Sequence, residues 1–198
     1  MQILRIDSAT TGEASVSRVL TQAIVDHLTA QHPEATLVER DLATDPLAHI
    51  DPVTTAAIRT PQDMHDETVA AAFPAERAVL DEFLASDVVV IGAPMYNFTI
   101  PSQLKAWIDR IAVPGVTFTY KDGGPQGLAG GRRVIVASSR GGAYEDGNPA
   151  DHQETLLRLV LGFIGIDDPV FIRAEKIGFG PKVRDQAIAD AKAEIAQL

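Results

Sequence analysis

Four consecutive branched residues, Val88-Val89-Val90-Ile91, run without a polar interruption into Gly92-Ala93-Pro94. Such a run has no hydrophilic face, so as a strand it must be covered on both sides, as in a parallel sheet sheathed by helices. Gly-Ala-Pro then turns the chain. Pro101 suits the first turn of a helix, where its missing N–H goes unneeded. Leu104, Trp107, Ile108 and Ile111 follow at i, i+3, i+4 and i+7 as one apolar stripe. The same strand–turn–helix unit recurs along the chain. Strands are predicted over about 3–7, 36–40, 88–92, 133–138 and 169–173, and helices over about 16–31, 75–85, 101–111, 154–164 and 182–196. The first helix gathers Val16, Val19, Leu20, Ala23, Ile24 and His27 on one side. The fourth has a stripe of Leu157, Val160, Leu161 and Ile164, with Gly165 placed to stop it.

Strands alternating with helices imply parallel βαβ units. Five of them in 198 residues suit an α/β fold: a flavodoxin-like doubly wound five-stranded parallel sheet of order 2-1-3-4-5, helices on both faces, as a single domain over 1–198. Ligands in such a fold lie at the carboxyl ends of the strands, by the switch point between strands 1 and 3. Two connections are longer than simple turns. Residues 42–73 have room for one or two short helices, and 114–131 are rich in glycine; either suits a substrate lid or a dimer contact.

A net charge of −10 argues against nucleic acid and anionic membranes as partners, since both reward Lys and Arg. With no cysteine, disulfides, thiolate chemistry and cysteine–metal sites are excluded. No apolar run approaches the roughly 20 residues that span a bilayer, and the chain starts directly on a strand pattern, so a cytoplasmic protein is expected. The histidines (His27, His32, His49, His65 and His152) are scattered without ligand spacing. Asp63-Met-His-Asp-Glu67 reads as a solvated turn or a helix start, and no metal is expected.

Three loops at strand ends carry the chemistry. Asp7-Ser-Ala-Thr-Thr-Gly-Glu-Ala-Ser-Val-Ser17 holds hydroxyls, no Lys or Arg, and opens a helix. Free N–H groups and the partial positive charge of a helix N-terminus can hold a phosphate without basic side chains; equally, Ser15 can be a plain N-cap. Neither G-x-G-x-x-G nor G-x-x-x-x-G-K-[ST] occurs there, so a resident dinucleotide or an NTPase site is not indicated. Met95-Tyr96-Asn97-Phe98 puts a thioether and two rings beside one amide, either as core packing or as a platform for a planar heteroaromatic ring. In Ser139-Arg140-Gly141-Gly142, adjacent glycines either make a turn or let backbone amides approach a ligand closely.

Ala93–Phe98 together with Gln103-Leu-Lys-Ala-Trp-Ile-Asp-Arg110, Ser15-Val16-Ser17, Ser139–Gly142 and Leu161-Gly-Phe-Ile-Gly-Ile166 closely resembles the FMN-dependent NADH:quinone oxidoreductases, also called FMN-dependent NADH azoreductases. The likeness runs from the first strand to the last helix. It implies FMN held by Ser8, Ser15, Val16, Ser17, Met95, Tyr96, Asn97, Phe98, Ser139, Arg140, Gly141 and Gly142. Asn97 would bond near the O4/N5 side of the ring, and the Ser139–Gly142 loop would follow its pyrimidine edge. The family commonly has a second serine after Ser8; Ala9 stands here, leaving Ser8 or Thr10 to take its place. The resemblance further implies a substrate slot walled by Asn97, Phe118, Tyr120 and Phe163, shared across a homodimer so that Phe163 comes from the partner. Apolar aromatic walls suit flat quinones and azo compounds. NADH as co-substrate and a two-step ping-pong transfer through FMN come with the family, with no acid–base pair required of the protein. Arg59 is placed to meet an anionic group of NADH or substrate, or is simply solvated.

Two other readings compete. Ala137-Ser-Ser139-Arg-Gly141 has the small-x-Ser-x-small outline of a nucleophile elbow, which would make a serine hydrolase or phosphodiesterase. That motif needs a helix directly after the serine, where loop-forming residues stand here, and Ser139, Asp146 and His152 would have to form the triad. The other is a non-enzymatic flavodoxin-like electron carrier.

Overall fold

In the computed structural model, which describes every residue except Asp122 and Asp146, five strands form one parallel sheet. They are β1 (Gln2–Asp7), β2 (Thr36–Asp41), β3 (Val88–Pro94), β6 (Arg133–Ser139) and β7 (Val170–Ala174), in the order β2-β1-β3-β6-β7. Counted within the sheet this is 2-1-3-4-5, as the alternation of patterns predicts. Ile3 pairs with Val88, Val88 with Arg133 and Ile135 with Val170. All seven residues of central β3 are buried. Because side chains alternate across a strand, Val89, Ile91 and Ala93 enter one core and Val88 and Val90 the other. The first core is closed by α3 (Glu67–Ala85), α4 (Ser102–Ile111) and α5 (His152–Phe163). The second is closed by α1 (Val16–Gln31) and α6 (Pro181–Ile195). Trp107 on α4 is fully buried, edge-on to Phe83 of α3 at 5.9 Å.

Helix α1 has the bounds its periodicity predicts. Helix α3 starts eight residues before the predicted Ala75, and Pro74 lies inside it. Proline removes a backbone donor and ordinarily breaks a helix. Here the Asp66 carboxylate accepts the Val69 N–H at 2.9 Å and secures the early turns. Ahead of it, 42–73 holds α2 (Pro52–Arg59) and a 3-10 turn, Gln62–Met64. The glycine-rich 114–131 folds into an antiparallel hairpin, β4 (Phe118–Lys121) with β5 (Gly124–Gly127). The first of these strands continues the alternation of Val116-Thr-Phe-Thr-Tyr120. The second, Gly-Pro-Gln-Gly, has no strand propensity and exists because it is paired. Its last residue packs against the end of α5 so tightly that a Cβ on Gly127 would lie 2.1 Å from the Gly165 nitrogen. Gly165 has φ of 96° and ends α5.

Candidate functional site

Strand β1 delivers the chain into the loop that opens α1. Ser15 occupies the N-cap position, but its side chain makes no capping bond; instead Ser15 Oγ and Ser17 Oγ lie 3.1 Å apart. Among the described residues, no acceptor pairs with the N–H groups of Val16, Ser17 or Arg18. These are the donors that the start of any α-helix leaves over. They belong here to a buried turn, with Ser15, Val16 and Ser17 each 5% exposed or less. Buried amides without partners are costly, and the geometry of this end is that of an anion cradle.

No cationic side chain reaches into that cradle from the loop itself. The Arg18 guanidinium turns away to Asp41 at 2.8 Å and Asp7 at 3.5 Å, and Arg5 meets Asp7 at 2.8 Å. Thr21 Oγ1 also donates to Asp7. Burial pushes the Asp7 carboxyl above its ordinary range, against the pull of Arg5, the Thr21 hydroxyl and Arg18. Arg5 and Arg18 are thus paired with Asp7 and Asp41 beneath the cradle, while Arg184 of α6 donates to Ala14 O at 3.0 Å.

The second loop leaves β3 as a tight turn. Tyr96 and Thr99 exchange backbone bonds of 2.9 and 3.1 Å, and both residues between them are left-handed, Asn97 at φ 48° and Phe98 at φ 72°. Asn adopts this conformation readily, whereas Phe stores roughly 1–3 kcal/mol of strain in it. The turn holds Asn97 and Phe98 outward, Phe98 being 53% exposed. Two anchors secure it: Met95 N–H donates to Ser139 O at 2.8 Å, and His152 N–H to Phe98 O at 3.1 Å. A third tie joins it to the loop after β1, since Thr10 N–H donates to the Tyr96 hydroxyl at 3.0 Å.

In the third loop, the carbonyls of Arg140, Gly141 and Gly142 accept from the N–H groups of Ile177, Gly178 and Lys176 at 3.1, 3.1 and 2.8 Å. Among the described residues, nothing accepts from the N–H of Gly141 or Gly142. So the loops after β1, β3 and β6 come together at one end of the sheet, and two of them offer unpaired amides.

Several residues predicted for the site face elsewhere. Ser8 is fully buried and donates its hydroxyl proton to Gly92 O at 2.6 Å, whereas Thr10 is exposed. Of the two stand-ins for the missing serine, Thr10 is the one at the surface, its hydroxyl 3.2 Å from that of Tyr96. The Arg140 side chain points inward at 1% exposure, bonded to Gln153, Asp151, Glu154 and Glu175; what Arg140 adds to the loop surface is backbone. Phe118 and Phe163 pack together at 4.4 Å, and Tyr120, 70% exposed, lies edge-on to Phe118. This aromatic group sits at the far end of α5, roughly 17 Å along the helix axis from His152 and the Phe98 carbonyl it caps. One chain does not bring it to its own Asn97. Arg59 is exposed in the last turn of α2, beside a cleft of about 460 Å³ lined also by Phe73, Pro114 and Val116.

Among the described residues, no helix directly follows Ser139, as the elbow of a hydrolase requires; α5 begins only at His152, and Asp146 lies outside the described residues. The Tyr96–Thr10 tie, Gln153, Glu175 and the 176–178 strap carry no sequence signal; each matters through a partner far away in the chain. Among the described residues, no group of three or more His, Cys, Asp or Glu side chains could hold a metal ion.

The profile of a family described as having the flavodoxin-like fold matches residues 1–198. An FMN-dependent NADH:quinone oxidoreductase of Rhizobium meliloti is 53% identical over 201 aligned residues, covering 100% of this chain and 96% of the relative. The chain belongs to the FMN-dependent NADH:quinone oxidoreductases. Another protein of this family, from Ralstonia nicotianae, is 51% identical, with 98% of this chain and 94% of the relative covered. Among solved structures, an azoreductase from Bacillus anthracis superposes with a TM-score of 0.86 at 28% identity, covering 100% of this chain and 97% of that one.

Proposed function

We propose that this chain is a flavoenzyme that takes two electrons from NADH and delivers them to quinones and aromatic azo compounds in a ping-pong cycle. It is built as one flavodoxin-like domain over 1–198 and acts as a homodimer in the cytoplasm. The observation that carries this reading is the cradle of unpaired amides at Val16, Ser17 and Arg18, in a turn where Ser15, Val16 and Ser17 are buried, flanked by two hydroxyls and no basic side chain of the loop. It fits the single phosphate of FMN. Bound FMN would supply the two-electron chemistry.

The protein's residues bind and orient. The α1 amides with Ser15 and Ser17 hold the phosphate. The Met95–Phe98 turn, strained and tied at both ends, forms the platform for the ring, with the Asn97 amide free at its exposed tip. The Gly141 and Gly142 amides supply fixed donors to a ring edge where negative charge develops. Positioning and electrostatics suffice for this chemistry, which accounts for a site without an acid–base pair. The separation of Phe118, Tyr120 and Phe163 from the loops of their own chain supports a slot completed by a second subunit. Arg59 stands ready for an anionic group of NADH or substrate. No helix among the described residues is long and apolar enough to cross a membrane.

The test is optical. Protein supplied with FMN should be yellow, bleach on anaerobic addition of NADH and regain its colour with a quinone. Protein that takes up no FMN refutes the reading, and coloured protein that NADH leaves unbleached points instead to an electron carrier.

A further inference from the structure

Resting on the flavin reading, we propose that Gln153 is a positioning residue that locks the ring platform to the Gly141–Gly142 amides and thereby sets the reduction potential of the bound flavin. Gln153 is fully buried in the first turn of α5. Its Nε2 donates to Ala93 O at 2.7 Å, and its Oε1 accepts from Arg140 Nε at 3.0 Å. Ala93 stands two residues before Met95, and Arg140 immediately precedes Gly141. One planar amide therefore spans the roots of two loops that are distant in sequence. A carboxamide offers a donor and an acceptor in one rigid group; a carboxylate lacks the donor and a thioether lacks both strong partners.

Arg140 transmits the restraint. Its guanidinium is also bound by Asp151 at 3.0 Å, Glu175 at 3.2 Å and Glu154, and its own N–H donates to Ala174 O at 2.9 Å. From the other side, Lys176, Ile177 and Gly178 take up the carbonyls of residues 140–142, with Lys176 at a left-handed φ of 59° to do so. A loop clamped on both sides cannot rotate to satisfy the unpaired N–H groups of Gly141 and Gly142. Preorganised donors of this kind stabilise charge that develops opposite them. Two-electron reduction makes the ring electron-rich, so a fixed loop favours reduced over oxidised FMN, and a loosened loop loses that preference.

The test uses FMN-loaded protein. Gln153→Met is close to isosteric and leaves Ala93 O and Arg140 Nε without this partner. The expected result is a dissociation constant for oxidised FMN within about threefold of wild type. The preference for reduced over oxidised FMN should meanwhile fall about tenfold, a shift of about 30 mV to more negative potential for a two-electron couple. Gly178→Ala presses on the same loop from outside the core, since its Cβ would meet Gly141 O at 3.1 Å, and should shift the potential in the same direction. A purely structural Gln153 would lower the Tm of the apoprotein and leave the potential of both variants at the wild-type value, which overturns the proposal. If Gln153→Met does not fold, Gly178→Ala decides alone: a shift supports the proposal and an unchanged potential overturns it. Wild-type protein that binds no FMN fails the cofactor reading itself, whereas FMN-loaded variants with unshifted potentials fail this inference only.

Discussion

Replacing Ser17 with alanine removes one hydroxyl from the α1 cradle and leaves its backbone amide in place. Ser17 is fully buried, and its hydroxyl has Ser15 Oγ at 3.1 Å as its partner. A hydrogen bond to a charged group contributes about 1.5–3 kcal/mol, so losing one phosphate donor should weaken FMN binding about 10- to 150-fold. The cost to the fold is smaller. One neutral hydroxyl pair is broken, at about 1 kcal/mol, which in a chain of this size lowers Tm by roughly 2–4 °C. The assay is fluorescence titration of apoprotein with FMN and, in parallel, with riboflavin, which has the same ring and no phosphate. Riboflavin affinity should stay within about threefold of wild type, because the other two loops are untouched. Equal weakening of both ligands, or undiminished FMN affinity, would refute the assignment of this helix end to a phosphate.

The remaining expectations concern packing, the aromatic group and pH. Gly127→Ala places a Cβ 2.1 Å from Gly165 N and 2.4 Å from Ile164 C; both are backbone, so the hairpin must lift, at a cost of about 1–3 kcal/mol read as a lower urea midpoint. Phe163→Ala should reduce quinone turnover with little change in FMN affinity, since Phe163 is a helix length from the Phe98 carbonyl of its own chain. Mixing it with an Asn97→Ala protein should restore activity in heterodimers, where one shared site carries neither lesion; mixing without rescue would count against the shared slot. Burial raises the pKa of Asp41, but hydrogen bonds from Arg18 and the Ala43 N–H, with the Arg18 charge, outweigh it and hold the carboxyl below its ordinary 3.8. A depressed carboxyl stabilises the fold above that pH and loses its contribution as pH falls through the folded value. Denaturation midpoints of Asp41→Asn should therefore depend less on pH in the acid range than those of wild type.

Much of the architecture could be read from the residues because it rests on short-range regularity. Val88–Ile91 has no polar face, so it had to be central. The stripe of α1 runs without a breaker from Val16, and the loop before it shows its hydroxyls and its lack of cations at once. Local regularity failed where a neighbour overrides it. Pro74 argues for a helix end that the Asp66 cap and the rest of α3 overrule, and Gly124–Gly127 is a strand only because Phe118–Lys121 pairs with it. The same limit applied to side chains. Ser8 and Arg140 have residue types suited to a ligand, yet Gly92 O claims the first and a buried cluster of carboxylates the second.

By itself the chain's order of residues determined the alternation of strands and helices, the sheet that follows from it, and the three strand-end loops of the candidate site. Periodicity and turn chemistry act over a few residues and need no partner to be seen. Tertiary structure alone decided which hydrogen-bonding groups are spent and which are left free. The Gln153 amide reaches a carbonyl 60 positions away and Thr10 a hydroxyl 86 positions away. Such pairings come into being only when the strand order brings those loops to one edge, because a buried polar group is satisfied by whatever the fold places beside it.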